Sequence, residues 1–351
     1  MKLKQRAMPY VKNVTIVLAF AAVCSVPASN NHINYGVLGE TIMVQKEKTE
    51  DFRTAHTLDE AKTILLSQID FTSRMAITMK KHYDRRKDEK PSSDLSAATA
   101  GVYYHAKDYI TGKLPDFQKI SRELTPVQIV QDFNPLNYLN ETVLPPSVLP
   151  QVQKFLKEHS PFVVVVSDEY VNTVQAEDST LAYQLKGTNI IVVRKSDYDK
   201  LQQNPDQKDN FYALIAHEIT HLAALATRTA ELPWWFNEAG AEYVTHIAIK
   251  NEIPQTDLPH YSQYVRLAYY LAELVGKDVF VETYFTGDLS KIRGRLDRIA
   301  GFGTFDKFMN DPHFSNKYGL LRELCEERGL KVEEFERDLK RWGKTRKYWE
   351  R

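Results

Sequence analysis

The feature that most restricts the fold of this chain is the pentapeptide His217-Glu218-Ile219-Thr220-His221, which lies in an apolar segment without proline or glycine. Such a segment favours a helix, and residues four apart share one helix face. A helix here would therefore direct both imidazoles to one point and place Glu218 beside it. An unpaired buried carboxylate is unfavourable, so each of these groups needs a partner.

These residue types at this spacing are typical of a zinc site. His217 and His221 would supply two nitrogen ligands, and Glu218 would act as the general base that takes a proton from a zinc-bound water. A catalytic zinc normally has three protein ligands and one open position, so a third ligand is expected elsewhere in the chain. The alternative interpretation is an accidental helical pattern.

A second acidic pair follows on a predicted helix, which Pro233 is well placed to open. Glu238 is separated from His221 by sixteen residues, enough chain to end one helix, turn and begin another. We expect Glu238 to be the third metal ligand. Glu242 shares its face one turn further on and would accept the other N–H of a ligand imidazole. Alternatively, Glu238 is a surface residue that pairs with Arg228 or a lysine.

The segment Asn237-Glu238-Ala239-Gly240-Ala241-Glu242-Tyr243, taken with the upstream pentapeptide, resembles the gluzincins. These are the thermolysin-like clan of zinc metallopeptidases, whose third ligand is a glutamate on a second helix. The resemblance covers about residues 160–250 and is closest to the smaller branches of the clan. It implies a zincin-like fold and one zinc per chain, with the ligands and base already named and Glu242 supporting a ligand histidine.

The same resemblance implies hydrolysis of peptide bonds in a peptide or protein substrate. Members of the clan bind extended peptide along an edge strand, for which residues 182–194 are the candidate. They also carry a tyrosine or histidine that stabilises the tetrahedral intermediate. The candidates for that residue are His260, Tyr261, Tyr264, Tyr269, Tyr270 and Tyr284.

Two other functions stay open at this point. The first is a zinc-containing binding module of zincin fold without peptidase activity. The second is a hydrolase of a narrow amide substrate, such as a cell-wall peptide. The aromatic run from Trp234 to Phe236 is more typical of a helix-docking core than of a substrate pocket. His246 would lie too far around its helix to be a ligand.

The order of the predicted elements indicates an α+β fold. Helical patterns come first, two β-branched strand candidates follow at about residues 162–166 and 182–194, and helices resume at about 209–226. We expect a mainly helical N-terminal region at 29–159 and a zincin-like catalytic domain at 160–351. Thr57 and Glu60 fit a capping box that opens a helix, and Thr125-Pro126 resembles another helix start.

The N-terminal sequence predicts export. Basic residues precede an uncharged, mostly apolar run at Val14–Val23, and Ala28 has the small size expected at a signal-peptidase site. Residues 1–28 are therefore predicted to be a signal peptide, with an uncleaved anchor as the alternative. Cleavage there would remove Cys24 and leave Cys325 alone, so no internal disulfide is expected. The net charge of zero gives no indication of a nucleic-acid partner or an anionic membrane surface.

Overall fold

The computed structural model describes residues 52–86, 114–129, 134–175, 181–203, 208–249, 262–311 and 313–330. The predicted signal peptide and the candidates His260 and Tyr261 lie outside these residues. Among the described helices, none combines the length and apolar character needed to cross a membrane.

The described residues form a mixed α+β structure with many helices and one small sheet, which confirms the α+β part of the predicted fold class. The strands are β1 (Val127–Gln128), β2 (Phe162–Val166), β3 (Ala182–Gln184) and β4 (Ile190–Arg194). The helices up to β4 are α1 (Leu58–Arg86), α2 (Phe117–Glu123), α3 (Pro135–Tyr138), α4 (Leu149–Glu158) and α5 (Asp168–Gln175). The later helices are α6 (Lys195–Gln203), α7 (Lys208–Ala224), α8 (Trp234–Ile249), α9 (Ser262–Val275), α10 (Lys277–Thr286), α11 (Ser290–Ala300), α12 (Thr304–Asn310) and α13 (Phe314–Glu327).

The sheet has the strand order β1-β2-β4-β3, so β3 forms one edge. β3 pairs antiparallel with β4 in the register Ala182 to Val193, and β1 pairs antiparallel with β2 in the register Val127 to Val165. Every residue of β2 and β4 is buried. Continuous β-branched runs of this kind are typical of strands covered on both faces.

The predicted strand at 182–194 is a hairpin, in which Gly187 has a φ of 72°. Its turn is held by side chains, because Thr188 Oγ1 donates to Leu185 O at 2.8 Å and Gln184 Nε2 donates to Thr188 O at 2.7 Å. The buried Asn189 accepts from the backbone N–H of Ala55 through Oδ1 at 2.8 Å. The hairpin is thus fixed at both its turn and its flank.

Two sequence predictions about helix starts have opposite outcomes. The capping box is confirmed, since Thr57 N donates to Glu60 Oε2 at 3.0 Å and Glu60 N donates to Thr57 Oγ1 at 3.2 Å. The helix start at Thr125-Pro126 is wrong, because strand β1 follows there. Pairing of Val127 with the buried strand β2 outweighs the local preference, as tertiary context often does.

The chain divides into two compact units. The described residues of the first are Phe52 and those within Thr57–Pro126 and Val166–Thr180, and those of the second fall in Arg53–His56, Val127–Val165 and Leu181–Arg351. The predicted boundary near residue 160 falls inside the second unit. That unit holds nearly all of the sheet and all of the helices from α6 onward.

The core of the second unit is built around α7 and α8. α8 packs against α7 and α9, while α7 also packs beside the edge strand β3. Both helices are largely apolar and buried on most faces, including Ile219, Leu222, Phe236 and Val244. A polar side chain on either helix is therefore placed in a largely dry interior, where it needs a partner.

Candidate metal centre

Helix α7 carries the upstream pentapeptide in its second half. His217 is 6% exposed and Glu218 is 8% exposed, while His221 is partly buried near the helix end. The uninterrupted apolar sequence keeps the helix regular here, so the two imidazoles lie one turn apart on the same face, with an angle of 81° between their rings.

The predicted ligand atoms converge on one point. Nε2 of His217 lies 3.0 Å from Nε2 of His221, and Oε2 of Glu238 lies 3.4 Å and 3.5 Å from these two atoms. Ligands about 2.0–2.1 Å from a tetrahedral zinc lie about 3.3 Å apart, so this triangle fits the three protein corners of such a site. Among the described residues, these three form the one His, Cys, Asp and Glu group compact enough to hold a metal ion.

The charge of the cluster also favours a cation. Glu218, Glu238 and Glu242 all lie within it, and none of them forms an ion pair with a lysine or arginine of the described residues. Arg228, the alternative partner for Glu238, instead donates to Asn237 Oδ1 at 2.5 Å. Buried carboxylates without compensating charge are costly, so the cluster requires positive charge.

The pKa values of two predicted ligands are shifted in the directions expected for a cluster that requires positive charge. Burial by itself lowers the pKa of His217, but the nearby Glu242, Glu238 and Glu218 together raise it well above its ordinary value. Burial raises the pKa of Glu238, yet the hydrogen bonds and charges of His217 and His221 hold it far below its ordinary value. The carboxylates therefore attract a proton when no other cation is present, and a metal ion would take its place.

Glu218 is held by the edge strand. Its Oε2 accepts from the backbone N–H of Gln184 in β3 at 2.7 Å. Burial raises the pKa of the Glu218 carboxyl above its ordinary value, although His217 and His221 oppose this. A carboxylate with raised pKa is more basic, which suits a group that accepts a proton. The predicted peptide-binding strand thus borders the predicted base.

The second helix places Glu242 on the far side of His217. Its Oε1 lies 3.3 Å from His217 Nδ1, the ring nitrogen that faces away from the triangle. The two groups are close enough for their charges to interact, but Nδ1 has no hydrogen bond of good geometry among the described residues. The other oxygen of Glu242 is buried and makes no hydrogen bond there.

The Nδ1 atom of His221 has different neighbours. The hydroxyl of Tyr284 on α10 lies 3.2 Å away, and Nδ2 of Asn237 lies 3.4 Å away. Burial raises the pKa of Tyr284 well above its ordinary value, so its hydroxyl stays neutral. Tyr284 is one of the six residues predicted above as candidates for stabilising the tetrahedral intermediate, whereas Asn237 and Arg228 are not among the predicted site residues. The one sequence signal for Asn237 is its position directly before Glu238, in the segment that resembles the gluzincins.

The loop between α7 and α8 also holds the end of α10. Arg228 Nη2 donates to Tyr284 O at 2.8 Å, Thr227 Oγ1 donates to Phe285 O at 2.9 Å, and Thr229 N donates to Thr286 O at 2.9 Å. These donors satisfy the last carbonyls of the helix, which have no partner within it. The loop that joins the metal ligands is therefore tied to the helix that carries Tyr284.

A buried hydroxyl network holds α7 against α8. Tyr138 Oη lies 3.0 Å from Oγ1 of both Thr220 on α7 and Thr245 on α8, and it donates to Ala216 O at 3.2 Å. The same threonines lie 3.3 Å from each other. Because Thr220 belongs to the metal-site pentapeptide, this network fixes the crossing of the two ligand-bearing helices.

Tyr269 and Tyr270, the other described candidates, contact residues outside the cluster. Tyr269 packs against His246, and Tyr270 is buried against Tyr318. The side chain of Tyr264 lies outside the described residues. His246 is not among the converging ligand atoms. The aromatic run divides, because Phe236 is fully buried whereas Trp234 is 59% exposed at the start of α8.

Comparison with protein-family models, with curated proteins and with solved structures finds no match to this chain.

Proposed function

We propose that this protein is an exported zinc-dependent peptidase of gluzincin type, with a zincin-like arrangement of its site helices. The observation that carries the proposal is the triangle formed by His217 Nε2, His221 Nε2 and Glu238 Oε2, whose edges of 3.0–3.5 Å match a tetrahedral zinc site. The resemblance of the sequence to the gluzincins gives the same three residues.

The uncompensated charge of the cluster supports the same proposal. Two neutral imidazoles and one carboxylate are a ligand set typical of hydrolytic zinc sites. Three protein ligands leave one position for substrate or water. When bound, zinc would supply Lewis acidity that polarises the scissile carbonyl and makes water acidic enough to attack at neutral pH.

The side chains of the site have separate roles in the proposed reaction. Glu218, held by the backbone N–H of Gln184, takes the proton of the attacking water and passes it to the leaving amine. His217, His221 and Glu238 would hold the metal, and Glu242 would orient His217 through Nδ1. β3 is the edge strand of the described sheet and lies next to Glu218, so it is the strand that we assign to binding of an extended peptide.

The proposal is tested by peptide turnover with the purified protein. Casein and dye-labelled peptides should be hydrolysed, a chelator should abolish the activity, and added zinc should restore it. Glu218→Gln keeps the size of the side chain but cannot accept a proton, so it should bind zinc and lose hydrolysis. Glu326→Gln is the matched control, since it removes an exposed carboxylate from an ion pair with Arg322 on α13.

The outcomes separate the three functions considered. Zinc binding without turnover of any peptide would indicate a binding module, and turnover confined to cell-wall peptides would indicate the narrow amide hydrolase. An active Glu218→Gln protein would show that the base lies elsewhere. A protein that binds no zinc would overturn the proposal as a whole.

A further inference from the structure

We propose that Tyr284 is the positioning residue of the metal ligand His221, by accepting the hydrogen bond of its Nδ1–H when Nε2 binds the metal. This inference rests on the proposed zinc function and deepens it. The observation behind it is the 3.2 Å separation between the Tyr284 hydroxyl and His221 Nδ1.

The geometry of His221 determines its tautomer. Its Nε2 belongs to the converging triangle, 3.0 Å from Nε2 of His217 and 3.5 Å from Oε2 of Glu238. A neutral imidazole that binds a metal through Nε2 carries its proton on Nδ1, which is then a donor. Metal-bound histidines almost always give this second N–H to an acceptor that fixes the ring.

The side chains of Asn237 and Tyr284 both lie close enough to Nδ1 to be that acceptor. The hydrogen bond from Arg228 shows which of them can accept. Arg228 Nη1 donates to Asn237 Oδ1 at 2.5 Å, which orients the oxygen of this amide toward Arg228. Its nitrogen therefore faces His221 Nδ1 at 3.4 Å, and an N–H group cannot accept from another N–H group. The hydroxyl oxygen of Tyr284 has two lone pairs and can accept a hydrogen bond from Nδ1–H.

The surrounding packing fixes the position of this hydroxyl. Tyr284 is fully buried, and the Arg228 guanidinium lies over its ring at 4.7 Å from the centroid. On another side the ring occupies the space left by Gly240, where an added Cβ would lie 2.1 Å from Tyr284 Cδ2. A ring held in this way loses little further entropy when it binds His221.

Gly240 lets Tyr284 come close to the metal ligands. Because it has no side chain, α8 leaves room at this position for a side chain of α10. Helix α10 is therefore a third element of the metal centre, in addition to the two helices that supply its ligands.

The test is zinc affinity, measured by titration against a competing chelator. Tyr284→Phe removes the hydroxyl and keeps the ring between Arg228 and Gly240, so the affinity should fall by about 10-fold or more. Tyr270→Phe is the matched control, because this buried tyrosine of α9 packs against Tyr318 away from the cluster. Its zinc affinity should equal that of the wild type. Thermal unfolding of the metal-free proteins checks that both variants fold.

A rescue distinguishes positioning from a general structural role. Asn237→Asp replaces the amide nitrogen by a second acceptor oxygen close to His221 Nδ1, while the first oxygen still binds Arg228. In the Tyr284→Phe background this change should restore zinc affinity by more than it raises the affinity of the wild type. The difference between the two gains is the coupling between the positions.

Gly240→Ala tests the position of Tyr284 in a second way, because the added Cβ would displace the ring of Tyr284. It should weaken zinc binding in the wild type and add little in the Tyr284→Phe background. Unchanged zinc affinity in a folded Tyr284→Phe protein, or equal gains from Asn237→Asp in both backgrounds, would overturn the role of Tyr284 and leave the zinc site standing. A wild-type protein without zinc affinity would overturn both proposals.

Discussion

Oε1 of Glu242 lies 3.3 Å from Nδ1 of His217, and both side chains are almost completely buried. The contact joins the second residue of one acidic pair on α8 to the first histidine of α7. It places a carboxylate behind a ligand, on the side away from the point where the ligand atoms converge. A partner in this position sets the tautomer of the imidazole and makes its metal-binding nitrogen more basic.

We predict that Glu242→Gln weakens zinc binding by about 10–100-fold without removing the site, because the amide cannot replace the negative charge behind His217. Glu238→Ala should be nearly free of metal, because it leaves an incomplete coordination sphere. Titration of zinc against a competing chelator ranks the two variants. If Glu242→Gln loses zinc as completely as Glu238→Ala, the two residues have exchanged roles.

We predict one zinc ion per chain in the purified protein, measured by elemental analysis. His221→Ala should lose most of it, because only His217 and Glu238 of the triangle remain. His246→Ala is the matched control, since this histidine of α8 packs against Tyr269 and is not a converging ligand. Full zinc content in His221→Ala would contradict the ligand assignment.

Removal of the metal should lower the unfolding temperature of the wild type. A ligand that binds only the folded state stabilises it by RT ln(1 + [L]/Kd), or about 2.7 kcal/mol at a free zinc concentration 100 times Kd. Thermal unfolding with and without chelator measures the shift. The same chelator should leave the unfolding temperature of His221→Ala unchanged, and an equal shift in that variant would point to zinc bound elsewhere.

Tyr138→Phe should lower the free energy of unfolding by about 1–3 kcal/mol, because it deletes a buried hydroxyl that Thr220 and Thr245 share. Thr245→Val removes a neighbouring member of the same network. The double variant should lose less stability than the sum of the two single changes, since they remove a common hydrogen bond. Chemical denaturation of the four proteins gives the coupling, and strict additivity would show that the hydroxyls act independently.

Gly287→Ala should destabilise the protein more than Gly303→Ala does. The two glycines have nearly the same left-handed backbone, with φ/ψ of 77°/2° and 86°/−3°. A Cβ at Gly287 would meet Ala230 O at 2.3 Å, whereas one at Gly303 would meet nothing within 4 Å. Alanine causes the same backbone strain at both positions, so the difference between the two variants measures the clash at Gly287. This clash should add about 1–3 kcal/mol to the loss in free energy of unfolding. Equal losses would show that the loop moves freely away from α10.

Part of the fold could be predicted from local patterns. The capping box at Thr57 and Glu60 forms as expected, because its hydrogen bonds join residues three apart in the sequence. The helix start predicted at Thr125-Pro126 does not form, because Val127 pairs with Val165 on a strand far along the chain. Short local signals are reliable where their partners are local and fail where a distant strand competes.

The candidate site divides in the same way. Helical periodicity is enough to predict that His217, Glu218 and His221 share one region of a helix and that Glu238 and Glu242 share a face of the next. The partner of each imidazole, in contrast, follows from the tertiary packing. Tyr284 reaches His221 across sixty-three residues, through space left by Gly240 and a loop bound to the end of α10. Such contacts depend on the packing of whole helices, which periodicity along a single helix does not specify.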